Sequence, residues 1–203
     1  MLHFETIEPG TLALLKDLQS LPELQRTRLV GGTALALQLG HRKSVDLDLF
    51  GTISATAMDI KASISQRHHL TTIQESRNIN IFLVDGVKVD IVNYGYDWID
   101  APVLESDIRL AGPGDIAAMK ISAIIGRGTK KDFVDLYRLL KEFSLPDILE
   151  LYLRKYPDGS SFIAVKSLTY FDDANPDPMP VMLDDICWDE VKGTIREQVA
   201  GLF

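Results

Sequence analysis

Cysteine is nearly absent from this chain. Cys187 is the only one among 203 residues, which excludes an intrachain disulfide and a cysteine-built zinc cluster. Basic charge is short as well. The 21 lysines and arginines against 29 aspartates and glutamates leave a net charge of −8, which argues against a general nucleic-acid coat protein. No apolar run approaches the roughly 20 residues that a membrane helix needs. The opening MLHFETIEPG lacks the basic-then-apolar pattern of a signal peptide. The expected location is therefore the cytoplasm, with no membrane partner. No internal repeat is present. The apolar fraction, 46%, is ordinary for a globular protein and supplies a core at this length.

What is present falls into two halves: a mixed α/β region over residues 1–105 and a helical region over 106–203. Residues 10–25 read as an amphipathic helix carrying Leu12, Leu15, Leu18 and Leu21. A short strand at Arg28 to Val30 leads into Gly31-Gly32, and Thr33 to Leu39 has helix-forming composition with Gly40 as its stop. Val45 to Phe50 reads as a strand, Thr56 to Gln66 as a helix, and Leu70 to Ile73 and Ile79 to Val84 as strands. Asp85-Gly86 is a hairpin signal that returns Val87 to Asn93 antiparallel to Ile79–Val84. After a loop around Tyr94 to Pro102, helices are expected at Asp115–Gly126, Lys130–Phe143, Pro146–Arg154, Ser161–Phe171 and Trp188–Leu202, with a Pro-rich acidic loop at 172–180. The fold class is α+β, a mixed sheet with flanking helices followed by a C-terminal helical region.

The stretch LVGGTALALQLGHRKSVDLDLF, from Leu29 to Phe50, concentrates the chemistry. Residues two apart in a strand share a face, about 7 Å apart at Cα. Asp46 and Asp48 then project together while Val45, Leu47 and Leu49 enter the core. Carboxylates that close need a positive charge between them, and a divalent metal is the usual answer. Gly31-Gly32 between a strand and a helix brings backbone amides and a helix N-terminus to one place, which suits a phosphate, although a plain tight turn has the same composition. Asp90 interrupts an otherwise β-branched strand and is a candidate third ligand. Lys120 lies in or beside an apolar helix stripe, where a lysine either snorkels outward or reaches a buried anion. Asp132 and Asp135 share a helix face, and a first-turn aspartate also stabilises the helix dipole. The clusters Arg26–Arg28, His41–Lys43 and Arg127–Lys131 offer a local basic groove or simply solvated charge.

Three carboxylates beside a glycine turn fit a two-metal phosphoryl or nucleotidyl transfer site, with two divalent ions stabilising attacking and leaving oxygens. In that scheme Gly32 and Thr33 contact phosphate, and Lys120 offers a point charge to the polyphosphate.

Gly31-Gly32-Thr33 followed by Arg42, Ser44, Asp46 and Asp48 resembles the signature of the polymerase β-like nucleotidyltransferase superfamily. More narrowly, GGTALALQLGHRKSVDLDLF, DIAAMKISAIIGRGTKKDFVDLYRLL and SLTYFDDANPDPMP together resemble the AbiEii/AbiGii toxin-type nucleotidyltransferases, over most of residues 28–200. The resemblance implies the nucleotidyltransferase fold for the first half. It implies Asp46, Asp48 and Asp90 as the metal carboxylates, and Gly31, Gly32, Thr33, Arg42 and Ser44 as nucleotide-binding. Lys120 would contact the nucleotide and Asp132 would be a further catalytic acid, with Asp135 at the next matched position. The family often has Ser where Thr33 stands, and the hydroxyl is retained. It further implies an NTP donor, an RNA acceptor such as tRNA, and a cognate antitoxin from a neighbouring gene, as in a type IV toxin–antitoxin system. Two other readings stand beside this one: a nucleotide-binding or regulatory protein that keeps the fold without turnover, and aspartates that are structural, solvated or bound to calcium.

Overall fold

The computed structural model describes all 203 residues, which divide into two compact units. The division is not a single cut near residue 105. Met1–Gln38, Ser44–Gly95 and Pro102–Ala111 form the first unit, and Leu39–Lys43, Tyr96–Ala101 and Gly112–Phe203 the second.

The first unit begins with helix α1 (Pro9–Ser20), with Pro9 at its first turn, where a missing N–H costs nothing. The helix stops at Ser20 because Leu21 precedes Pro22 and is held extended. Its buried face is Thr11, Leu14, Leu15, Leu18 and Gln19, so of the expected stripe Leu15 and Leu18 are buried while Leu12 and Leu21 are only partly covered. Strand β1 (Thr27–Val30) runs straight into helix α2 (Gly31–Leu39), and Gly40, at φ +67°, provides the left-handed stop that the sequence suggests. Strand β2 (Leu47–Gly51) follows, then α3 (Ala57–Ile64), whose start is fixed by a reciprocal capping box between Thr56 and Asp59. Strands β3 (Leu70–Glu75), β4 (Ile79–Val84) and β5 (Val87–Asn93) form a meander. The β4–β5 turn has both Asp85 and Gly86 at positive φ, +49° and +86°, as a two-residue hairpin requires. A further hairpin, β6 (Val103–Glu105) and β7 (Ile108–Leu110), follows the expected 94–102 loop in a stretch for which the sequence suggests no element. Its turn places Ser106 and Asp107 at φ +55° and +65° without a glycine, so the usual signal is missing.

These strands make one seven-stranded sheet in the order β3-β4-β5-β2-β1-β7-β6. The β2–β5 and β1–β7 pairs are parallel and the others antiparallel. Leu29, Leu47, Leu49, Phe82, Val89, Ile91 and Leu110 are fully buried, as are Leu15, Leu18, Leu35, Leu37, Ile60 and Ile64 from the three helices. One expectation fails here. Strand β2 begins at Leu47, and Val45, expected in the core, is 61% exposed, because residues 43–46 are loop.

The second unit is helical: α4 (Pro113–Gly126), α5 (Lys130–Leu139), α6 (Leu145–Lys155), α7 (Ser161–Leu168) and α8 (Trp188–Ala200). Residues 41–43 join it by a short antiparallel pairing: Lys43 donates to the Val181 carbonyl at 2.8 Å and Leu183 to the His41 carbonyl at 2.9 Å. Phe133, Phe171 and Trp188 stack mutually with ring centroids 4.9, 5.8 and 5.9 Å apart, so the loop after α7 and the start of α8 are tied to α5. No helix is long and apolar enough to cross a membrane.

Candidate active site

The sheet sets two carboxylates side by side. Asp48 of β2 is the register partner of Asp90 of β5, on adjacent parallel strands about 4.8 Å apart. Leu47, Leu49, Val89 and Ile91 are fully buried on one face, so Asp48 and Asp90 occupy the other. On its second side Asp48 is paired with Val30, the last residue of β1, and the chain then turns at Gly31. Gly31 has φ +69°, and a Cβ built there would stand 2.3 Å from Asp48 Oδ2. Glycine is therefore required twice, for its backbone conformation and for the space that the carboxylate occupies. The glycine turn and the metal-type carboxylates of the sequence reading are one local structure.

Asp46 is held differently. It precedes β2, and its carbonyl accepts a short hydrogen bond from the Thr33 hydroxyl. Ser44 Oγ lies 2.8 Å from Thr33 Oγ1 and donates to it, because the Thr33 proton is already committed to Asp46. Thr33 is only 1% exposed. The hydroxyls expected on a nucleotide are thus spent pinning the loop that carries Asp46.

Lys88 was not foreseen at all. It is two residues before Asp90 in β5, and its Nζ donates to both carboxylate oxygens, at 2.6 and 2.8 Å. As the side chains stand, no three carboxylates, histidines or cysteines anywhere in the chain are gathered closely enough to hold a metal ion. The donor set still suits a hard divalent cation: Asp48 and Asp90 are all-oxygen neighbours in register, with Asp46 two residues from Asp48. By placement these residues suit a divalent cation, with Lys88 as the positive charge already present.

Arg42, Lys120 and Asp132, expected on nucleotide or in catalysis, meet instead inside the helical unit. Asp135 is fully buried and accepts from Arg42 Nε at 2.7 Å, Arg42 Nη2 at 2.8 Å, His41 Nε2 at 2.8 Å and Lys120 Nζ at 2.7 Å. Asp132, also fully buried, accepts from Lys120 Nζ at 3.0 Å, from the Arg127 guanidinium at 2.9 and 3.1 Å, and from Thr129 Oγ1 at 2.6 Å. Of the two fates open to Lys120, it is the buried anion that the structure shows. The reason is balance, since two carboxylates in the interior need two cations, and Arg42 and Lys120 supply them. Burial alone would push both carboxyls up. For Asp135 the Lys120 and Arg42 charges overturn that, and for Asp132 Lys120 and the Arg127 and Thr129 hydrogen bonds do, holding both well below the usual carboxylate range. Burial pulls Lys120 down, but Asp135 and Asp132 outweigh it and leave its pKa raised. Burial dominates at His41, whose pKa falls below 6.5 despite its hydrogen bond to Asp135.

The basic clusters are partly spent internally. His41, Arg42 and Lys130 are buried, and Lys130 Nζ donates to the Asn175 and Asp177 carbonyls. A second buried pair escaped the sequence reading: Lys155 Nζ lies 2.6 Å from Asp115 Oδ1, and Asp115 also accepts from the Ile99 and Asp100 amides, both at 3.0 Å. No local spacing links residues 40 positions apart, whereas Lys88 was detectable as the same-face neighbour of Asp90.

The signs fix an acid limit to stability. A histidine kept neutral by the fold charges first in the unfolded chain, so stability falls as pH drops below about 6.5, by up to about 1.4 kcal/mol per pH unit until the folded-state pKa is reached. The depressed carboxyls of Asp132 and Asp135 add a second loss below about pH 4, where the unfolded chain takes up protons and the folded one does not. Lys120 contributes in the opposite range, its stabilisation being full below about 10.5 and lost as pH rises through the folded pKa. Urea unfolding from about pH 7.5 down to about pH 3 spans both steps and checks this. A His41→Gln variant is expected to lose the first acid step and keep the second.

Among known proteins, an uncharacterised Aquifex aeolicus (strain VF5) protein is 37% identical over 180 residues, covering 84% of this chain and 85% of that one. MenT4, a nucleotidyltransferase toxin of Mycobacterium tuberculosis, superposes with a TM-score of 0.67 at 16% identity, over 93% of this chain and 80% of its own. JHP933 from Helicobacter pylori gives a TM-score of 0.61 at 20% identity, over 97% and 93% of the two chains. At those identities the solved structures establish a shared fold. The family is fixed by sequence: residues 13–181 match the model of the AbiEii nucleotidyl transferase toxins of type IV toxin–antitoxin systems, and this chain belongs to that family of nucleotidyltransferases.

Proposed function

We propose that the protein moves an NMP from an NTP donor to a hydroxyl acceptor, with an RNA such as tRNA as the acceptor, and that it acts in the cytoplasm as the toxin of a type IV toxin–antitoxin pair with a cognate antitoxin. The observation that carries the reading is Asp48 and Asp90 in register on parallel strands, with the Gly31 turn pressed against Asp48. Asp48, Asp90 and, from its pinned loop, Asp46 would hold two Mg²⁺. Bound there, the ions supply charge neutralisation on the triphosphate and acidify the acceptor hydroxyl. The chain's own part is positional. Gly31 and Gly32 bring backbone N–H groups to the start of α2, where a phosphate is favoured. Thr33 and Ser44 fix the height of Asp46 beside them. Arg42, Lys120 and Asp132 act through the buried network that holds α4, α5 and residues 41–43 together, rather than on the nucleotide.

One observation favours a second reading, nucleotide binding without turnover: Lys88 occupies Asp90, and the three carboxylates do not converge. Incubating the protein with each labelled NTP, Mg²⁺ and total tRNA separates the two. Labelled RNA with the wild type, and none with Asp46→Ala/Asp48→Ala, is the expected result. NTP binding with no labelled product from any acceptor would establish the second reading.

A further inference from the structure

We infer that Lys88 is a tethered counter-ion for the carboxylate cluster, taking the place of a divalent cation when none is bound and competing with it for Asp90. The inference rests on the metal-dependent reading above. Lys88 and Asp90 are i and i+2 in β5 and so share a face, and the ammonium is bound to both oxygens of the carboxylate. Asp90 stands in register with Asp48. Asp46 lies on the loop that enters β2, two residues before Asp48. The lysine thus sits on one member of a carboxylate pair in register, where a positive charge is favoured.

Physical accounting favours a movable cation over a permanent pair. The Lys88 side chain is 42% exposed and that of Asp90 20%, so solvent screens the pair and its net worth is small. The fully buried Lys120 pair in the other unit is different, because it has no solvent to return to. A lysine on a flexible four-carbon stem can leave Asp90 for water, or for an anionic ligand, at little cost. Lys88 then makes metal-free protein tolerable by keeping like-charged carboxylates from facing each other unneutralised. In exchange, each divalent ion that binds Asp90 must first displace it.

The test is Mn²⁺ binding to metal-stripped protein, followed by electron paramagnetic resonance and by calorimetry, for wild type, Lys88→Met, Lys88→Arg and Asp48→Asn. Lys88→Met is expected to bind Mn²⁺ about two- to tenfold more tightly than wild type, the range that removing a solvent-screened competing charge supports. Lys88→Arg should stay near wild type. Thermal unfolding supplies a readout independent of affinity. In EDTA, Lys88→Met should melt below wild type, and added Mn²⁺ should raise its melting point by more than it raises that of wild type. Equal or weaker Mn²⁺ binding by Lys88→Met overturns the tethered-cation role while leaving the metal site intact. Binding by Lys88→Met alone supports it in its strongest form. Failure of every variant to bind Mn²⁺, or binding unchanged in Asp48→Asn, removes the metal-dependent reading and this inference with it.

Discussion

Replacing Asp135 with alanine is expected to cost about 3–5 kcal/mol of folding stability, the largest effect of any single substitution considered for this protein. The carboxylate is fully buried and receives four hydrogen bonds or ion pairs from His41, Arg42 and Lys120. Removing it leaves Lys120 with Asp132 alone and strips Arg42 of both carboxylate acceptors of its planar fork. Lys120→Met is expected to cost less, because afterwards each carboxylate still holds a guanidinium: Asp135 that of Arg42 and Asp132 that of Arg127. A domain of ordinary stability, about 5–15 kcal/mol, loses much of its margin in the first case. Urea unfolding at pH 7.5 gives both numbers. If Lys120→Met proves as damaging as Asp135→Ala, the view that Asp135 is the hub of the network is wrong. A cost below about 1 kcal/mol for Asp135→Ala would mean that water or another anion takes its place.

The same network shows where sequence reasoning stopped. The elements were legible because their signals are local: Gly40 ends α2, Asp85-Gly86 turns β4 into β5, and Pro9 opens α1. The pairing of Asp48 with Asp90 was approached through alternation, since period two assigns each aspartate to the face opposite its β-branched or leucine neighbours. The β6–β7 hairpin was lost because Ser106 and Asp107 adopt positive φ with no glycine to announce it. The partners of Arg42, Lys120 and Asp132 are illegible in the sequence for another reason. Residue type and spacing identify a charge but not its partner, and His41–Asp135 and Arg42–Asp135 join positions more than 90 residues apart. A lysine within an apolar stripe carried the hint, since burial of that helix face is costly unless anions wait inside. Thr33 followed the same logic in reverse: its hydroxyl was assigned outward to a phosphate, while burial turned it inward to the Asp46 carbonyl.

Gly31→Ala is expected to abolish nucleotidyl transfer while leaving a folded protein, and it tests the proposed site without removing a single carboxylate. Two penalties combine at this residue. A non-glycine residue at φ +69° is strained by about 1–2 kcal/mol. The new methyl group also falls 2.3 Å from Asp48 Oδ2, a distance that no real contact sustains, so the carboxylate must rotate off its position beside Asp90. A misplacement of about 1 Å in a metal or substrate ligand already costs about 100-fold in rate, and displacement of Asp48 exceeds that. The two penalties are separable by a double-mutant cycle with Asp48→Ala. Shortening residue 48 removes the clash but not the backbone strain, so Gly31→Ala should destabilise the Asp48→Ala background by less than it destabilises wild type. Mn²⁺ binding should fall in Gly31→Ala, as is expected of Asp48→Asn. Additive stability effects, with Mn²⁺ binding by Gly31→Ala equal to wild type, would show that Asp48 has room to spare and that the glycine turn and the carboxylate pair are separate features.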